Sequence, residues 1–361
     1  MLRELNRATL ARQMLLAREN LSIPAAIERL VGLQAQLASA PFVGLWTRLR
    51  DFRREDLARL IEDRTVIKAT LLRATLHIFT ANDFVRFRTA LQAMLSGAGD
   101  TIAKQRGAEL DLDELLRAAR RYIAEKPRTF AEISDMVAQL MPNQDVGAMR
   151  YSVRTRIPLI QVPIAGGWSY SNRPEFTLAE SWIGRPISTK DNLKVLVLRY
   201  LAAFGPASVT DMQTWSALPR LKDIFEALRP NLQAYRHERR EMFDIPDLVL
   251  PDGETPAPAR FLPEFDNLLL SHSNRTRMIA QEHRSKVFLP GLRVAATILV
   301  DGFVRGVWKI EKKRDTATLV IQPFDKLTKQ DRAALVDEGE RLIRFVEEKA
   351  KSLEVRVGEP A

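Results

Sequence analysis

The 361-residue chain has no cysteine, which removes disulfides, thiolate nucleophiles and cysteine-ligated zinc at once and points to a reducing compartment. Histidine is nearly as scarce. The four present (His77, His237, His272 and His283) are scattered, so neither a metal site nor a nucleophile–base triad is expected. His272 stands between Ser271 and Ser273, but side chains of adjacent residues point apart, which argues against a nucleophile there. Phosphate-cradling and hydrolase signatures are missing as well: no Walker loop, GxGxxG, HExxH or GxSxG occurs. No cofactor and no metal are therefore expected. Long apolar runs are absent too, and the first 20 residues, which include Glu4 and Glu19, lack the apolar centre a signal peptide needs. The expectation is a cytoplasmic protein with no membrane partner.

Apolar residues are plentiful by contrast. They make up 46% of the chain, with 28% charged and only 16 glycines, so every broad segment can bury apolar surface; the length suggests about two to four domains. The formal net charge of +10 is uneven: residues 1–90 hold 15 Lys/Arg against 9 Asp/Glu, whereas residues 187–260 balance at 10 against 10. Val146–Pro174 carries Arg150, Arg154, Arg156 and Arg173 with no acid, and Ser273–Arg293 holds five basic residues against Glu282. A polyanion is the natural partner of such a surface, although mild basicity also serves solubility alone.

One plan recurs along the chain. In residues 2–90, helical patterns at Leu2–Glu19, Ser22–Leu33 and Glu55–Asp63 precede Val66–Thr80, which reads as paired strands. Residues 112–186 repeat it. LDELLRAARRYIAEK is a periodic helix, Thr129 and Glu132 form a capping-box pattern ahead of FAEISDMVAQL, and Val146–Thr155 continues helically. Strands are expected at Leu159–Ile164 and Trp168–Ser171, turned by Ala165-Gly166-Gly167. A third round runs NLKVLVLRYLAAF, a break at Gly205-Pro206, SVTDMQTWSAL capped by Ser208 or Thr210, a helix at Leu221–Leu228 and a hairpin over Leu232–Ile245. Three helices and a β-wing, three times over, describe tandem winged helices. Beyond Pro246, DLVLPDGETPAPAR reads as a linker or surface loop. Val294–Val300 and Phe303–Ile310 then flank Asp301-Gly302, a type I′ turn signal, with a further strand at Ala317–Gln322 and a helix over Gln330–Leu353. The expected fold is mainly α with β-hairpin wings (α+β): winged helices over 1–110, 111–187 and 188–255, then a small α+β unit over 256–361.

An amide pair stands out for chemistry. Gln34 and Gln36 lie in VGLQAQLASAP, just after an apolar helical stretch that Gly32 can end. At i, i+2 they would lie about 200° apart on a helix, whereas extended backbone puts both on one side. Both amides could then face one cavity, each with a carbonyl acceptor and an NH2 donor; a solvated QxQ tripeptide fits the same letters.

Four ordered blocks carry a family resemblance: VGLQAQLASAPFVGLWTRLRDF, TLLRATLHIFTANDF, FGPASVTDMQTWSAL and LPEFDNLLLSHSNRTRM. Over about residues 1–325 the chain resembles the AlkZ-like winged-helix DNA glycosylases. That resemblance implies three tandem winged helices around a DNA-sized channel and a Gln-apolar-Gln catalytic signature, here Gln34-Ala35-Gln36. It implies a monofunctional, monomeric, nucleoid-associated glycosylase acting on double-stranded DNA with cationic N7-alkylated purines, able to unhook interstrand crosslinks. A non-catalytic winged-helix DNA-binding protein or transcriptional regulator is the alternative. A base alkylated at N7 already carries positive charge and leaves as a neutral molecule, so a placed water and partial negative charge near the sugar suffice and no general acid is needed.

Strand alternation would put Arg73, Thr75 and His77 on one face suited to phosphate, although His77 fits equally as a hydrogen-bonded core residue. Arg154 and Arg156, and Arg275 and Arg277, are further DNA-contact candidates; a solvated surface pair fits the latter spacing as well. Asp266-Asn267 reads as an Asx turn. Trp46, Trp182 and Trp215 belong in the core.

Overall fold

Helix and strand alternate through the chain in a computed structural model that describes residues 2–237, 240–246, 248 and 250–360, with the His237 side chain left aside. Residues 238 and 239 of the expected hairpin turn, and 247 and 249 of the expected linker, lie outside the described residues.

Helix Leu2–Arg12 buries most of its residues. Its expected extension to Glu19 fails because Met14 turns left-handed (φ 56°) and the Leu15 N–H bonds the Leu10 carbonyl at 2.8 Å, a Schellman-type stop with no glycine to announce it. Ser22 caps helix Ile23–Arg29, which also stops short of the expected Leu33: Val31 and Gly32 take positive φ and strand β1 (Leu33–Gln34) begins. A Cβ at Gly32 would lie 2.0 Å from Phe79 Cε2, so position 32 requires glycine on both counts. Helices Ala40–Trp46 and Arg54–Glu62 lead into the expected hairpin, β2 (Val66–Thr70) and β3 (Leu76–Thr80).

After helices Ala81–Phe87 and Gln92–Gln105, helix Leu112–Glu125 buries Leu115, Ala119 and Ile123 at four-residue intervals. Strand β4 (Arg128–Thr129) ends in the reciprocal Thr129–Glu132 capping box that opens helix Phe130–Leu140, as expected. Helix Val146–Arg156 follows, then β5 (Leu159–Gln161) and β6 (Glu175–Leu178). The second strand expected at Trp168–Ser171 is a correction. Gly166 and Gly167 do turn the chain, but Trp168 packs edge-on against Phe42 at 5.1 Å and under the Arg54 guanidinium at 3.6 Å, and Tyr170 joins the same cluster. Burial against the first segment overrides local strand pairing, and β5 pairs instead with residues further on. The strands form one antiparallel sheet in the order β1-β3-β2-β5-β6-β4, with Ala69 opposite Ile160 at the join.

Helices Leu193–Phe204, Val209–Ser216 and Lys222–Leu228 follow the expected pattern, with Ser208 and Asp211 forming the capping box and Trp215 fully buried against Tyr200 and Phe204. Trp46 and Trp182 pack against cores while remaining partly accessible. The hairpin β7 (Gln233–His237) and β8 (Arg240–Asp244) also lies where expected. Next come β9 (Arg260–Leu262), a small hairpin of β10 (Phe288–Leu289) and β11 (Arg293–Val294), then β12 (Thr297–Val300), β13 (Phe303–Lys313) and β14 (Thr316–Pro323). Asp301 and Gly302 both take positive φ, as a type I′ turn demands. The helix expected to reach Leu353 ends at Val346, and β15 (Ser352–Val357) pairs parallel with β14; its alternating SLEVRV pattern lays Leu353, Val355 and Val357 on the core. The resulting sheet runs β15-β14-β13-β12-β9.

Candidate active site

Gln34 ends β1 opposite His77 on β3, and the Ala35 N–H reaches the Leu76 carbonyl at 2.7 Å, so the backbone of the glutamine segment runs along β3. Both amides are engaged by the β2–β3 hairpin. The Gln34 Oε1 accepts from Arg73 Nη2 at 2.7 Å, and the Gln36 Oε1 accepts from the Leu76 N–H at 2.9 Å. Gln34 is buried while Gln36 is exposed. A carbonyl oxygen carries two lone pairs, so each amide is fixed in orientation and keeps an acceptor direction for a further donor.

Arg73 is the hub of the cluster. It sits at φ 53° in the turn between β2 and β3, a left-handed conformation that bulky residues seldom adopt without cause. Its Nη2 also lies 3.4 Å from Asn267 Oδ1 and 3.5 Å from His77 Nε2, and its Nη1 donates to the Trp215 carbonyl. Burial, and then the neighbouring Arg275, pull its pKa down to about 10, so it remains a cation at neutral pH. His77 is 0% exposed; burial first and Arg73 second push it down to about 3, and it is therefore neutral. Its Nδ1 pairs with the Thr75 carbonyl at 3.0 Å, and the Thr75 hydroxyl closes the turn on the Leu72 carbonyl at 3.0 Å.

The structure thus gathers Gln34, Arg73 and His77 into one hydrogen-bonded group, with Thr75 on the same hairpin and Gln36, just past β1, bonded to it. The other candidates are elsewhere or otherwise engaged. Arg154 donates to Thr70 Oγ1 at 3.1 Å, and Arg156 is paired with Asp100. Arg275 stacks 4.3 Å above Phe288, whereas Arg277 is 6% exposed and bonds the Pro206 carbonyl at 3.0 Å.

Sequence reading missed Arg48 and took Asn267 as part of a turn. Asn267 bridges the cluster, donating to the Gly32 carbonyl at 3.0 Å while its oxygen faces Arg73. Asp266 makes the expected turn, accepting from Leu268 N–H at 3.0 Å, but it also holds Arg48 with two buried bonds of 2.9 and 2.8 Å. The EFDN tetrapeptide was the available signal; its partners lie some 200 residues away in sequence. The Ser271 hydroxyl does reach His272 Nδ1, at 2.8 Å, contrary to the expectation that neighbours point apart. Both are buried and tied to the Leu268 and Phe204 carbonyls, which leaves them structural.

Residues 27–345 match the family described as DNA glycosylase AlkZ-like. The chain belongs to that family. It is 26% identical over 333 residues to the interstrand DNA cross-link repair glycosylase of Streptomyces sahachiroi, covering 87% of this chain and 88% of that protein. The solved structure of Streptomyces sahachiroi DNA glycosylase AlkZ superposes with a TM-score of 0.81 at 22% identity, covering 99% of each chain, and so shares the fold. As a DNA glycosylase family member the chain works without any helix long and apolar enough to cross a membrane among its described residues.

Proposed function

We propose that the protein hydrolyses the N-glycosidic bond of N7-alkylated purines in double-stranded DNA, with Gln34 and Gln36 as catalytic residues. The observation that carries this is the fixing of both amide carbonyls by donors of one hairpin. A water donating to the remaining acceptor directions is held at the sugar. Its oxygen bonds to C1′ as the N9–C1′ bond breaks; that electron pair neutralises the cationic ring, and the water's spare proton passes to solvent. The charge that leaves the base crosses to the sugar in the transition state, where fixed amide dipoles favour it. Arg73 is a positioning residue: it orients Gln34, and Asn267 and the Trp215 carbonyl in turn hold Arg73.

The relative named for crosslink repair extends the proposed substrates to interstrand crosslinks through N7. We further assign winged helices to 1–110, 111–187 and 188–255 and an α+β unit to 256–361, in a monomer that works at the nucleoid around a duplex-sized channel. The β10–β11 hairpin offers Leu292 at its tip, 94% exposed, with Arg293 beside it; an apolar tip next to a cation suits wedging at a base step. The test is alkaline cleavage of a duplex carrying one N7-methylguanine. Wild type should cut at the lesion, and Gln34→Ala and Gln36→Ala should each lose on the order of 100-fold in rate while still binding the duplex. Equal cutting by all three would remove the glutamines from the mechanism.

A further inference from the structure

The hydrolysis centre accounts for sugar and water but not for whatever hangs from N7. On the solvent side of Gln36 the structure holds an open cavity of about 660 Å³, within the range that takes small organic molecules. Its floor is the outer sheet, with Val307, Trp308 and Val320; its walls are Leu37, Phe265 and the Leu289–Ala296 hairpin region. Gln36 belongs to this lining, so the cavity opens directly beside the proposed catalytic pair. Leu37, the residue after Gln36, is 43% exposed and lies in the same lining. Trp308 is fixed in place, its indole N–H donating to the Leu262 carbonyl at 2.9 Å and its ring meeting Phe261 edge-on at 5.8 Å. That leaves a preset aromatic surface for a flat guest.

Charge adds a second element. Glu264 lines the same cavity, and burial in this apolar surround raises its carboxyl above the ordinary value. Lys309 on the floor is paired with Glu311 at 2.7 Å, whereas Arg293 donates to the Pro290 carbonyl at 3.1 Å and keeps its charge for the hairpin tip. A carboxylate in an apolar recess is stabilised by an incoming cation, and an N7-alkylated purine is one.

We propose that this cavity receives the bulky apolar substituent of an N7-alkylated purine, flat aromatic groups above all, with the Glu264 carboxylate facing the positive ring at its mouth. The assignment rests on the glycosylase reading above and deepens it by naming the adducts favoured. Ground-state charge pairing of this kind strengthens binding, and because the ring loses its charge in the transition state the pairing weakens there and holds the chemical step back.

Two duplexes separate the possibilities, one with N7-methylguanine and one with N7-benzylguanine. Wild type should release both. Ala295→Phe, which fills the cavity from the hairpin wall, should lower the benzyl-to-methyl rate ratio by about tenfold or more, because a blocked recess discriminates by size. Glu264→Gln, equal in volume, should raise KM for the benzyl adduct by about three- to tenfold with kcat unchanged or raised. An unchanged ratio in Ala295→Phe, or a fall in kcat rather than a rise in KM in Glu264→Gln, overturns the assignment. A wild type that releases neither base overturns the glycosylase reading instead, and the two failures are therefore distinct.

Discussion

Arg73→Met is the most informative single perturbation, because it should separate activity from stability. The guanidinium makes two short charge-assisted bonds, 2.7 Å to Gln34 Oε1 and a second to the Trp215 carbonyl, and longer contacts of 3.4 and 3.5 Å to Asn267 and His77. Removing it costs both charge-assisted bonds, about 3–6 kcal/mol together. Against that loss stands relief: burial holds Arg73 down near a pKa of about 10, well below the ordinary guanidinium value, with Arg275 repelling it, so the cation is disfavoured by about 3 kcal/mol at most. The relief offsets only part of the loss, and Tm should fall by several degrees without collapsing. Activity has no such offset. A freed Gln34 amide no longer presents its second lone pair in a fixed direction, and lost orientation of a catalytic group costs on the order of 10- to 100-fold, or about 1.4–2.8 kcal/mol of barrier. Single-turnover base release and scanning calorimetry on the same preparation decide the matter. Release within twofold of wild type would refute the orienting role, and a collapse of Tm would make the residue structural. Arg73→Lys should recover little, since an ammonium cannot serve Gln34 and the Trp215 carbonyl through one planar fork.

Three further outcomes follow from the geometry. Both His77 and His272 are held neutral near pKa 3 against about 6.5 when unfolded, so their contribution is complete above pH 6.5 and is lost as pH falls from 6.5 toward 3, each with a slope of up to about 1.4 kcal/mol per unit. His77→Gln should flatten acid denaturation in that window, and identical slopes in urea melts would contradict the buried-neutral assignment. The rate of base release at saturating enzyme should be level between about pH 7 and 9, because the amides do not titrate and Arg73 and His77 titrate outside that range. Asp266→Ala strands the buried Arg48 cation and should cost about 3–5 kcal/mol in stability, read as a lower urea midpoint; a shift under 1 kcal/mol would mean the pair is solvated.

Local chemistry was legible where neighbours in sequence settle it. Thr129 with Glu132 and Asp301 with Gly302 each declare a cap or a turn within four residues and formed as read, and of the two caps expected near residue 208 it is Ser208, not Thr210, that opens the helix. Gln34 and Gln36 were visible as a spaced pair, and Gly32 as the break before them. What was hidden is long-range. The burial of Trp168 and Tyr170 against residues some 120 positions earlier moved a strand from 168–171 to 175–178. The clamp on Gln34 spans 39 positions to Arg73, and the clamp on Arg73 spans 142 to Trp215 and 194 to Asn267. Arg73 itself read as a strand residue reaching for phosphate, because nothing local signals that an arginine will take a left-handed turn and face inward.

The hairpin that bears Arg73 and His77 has strands on both flanks, β1 along β3 and β5 along β2, so it is an interior member of its sheet. Such a hairpin has no loose rim with which to swing out and greet a helix of nucleic acid. If Gln34 and Gln36 act as proposed, accommodation falls to the duplex, which must bend or locally unstack until the damaged nucleotide arrives at amides that stay where they are. Lesions flanked by pliant pyrimidine–purine steps should turn over faster than the same lesions set in stiff A-tracts, with the mechanical softness of the neighbouring base pairs acting as a hidden part of specificity.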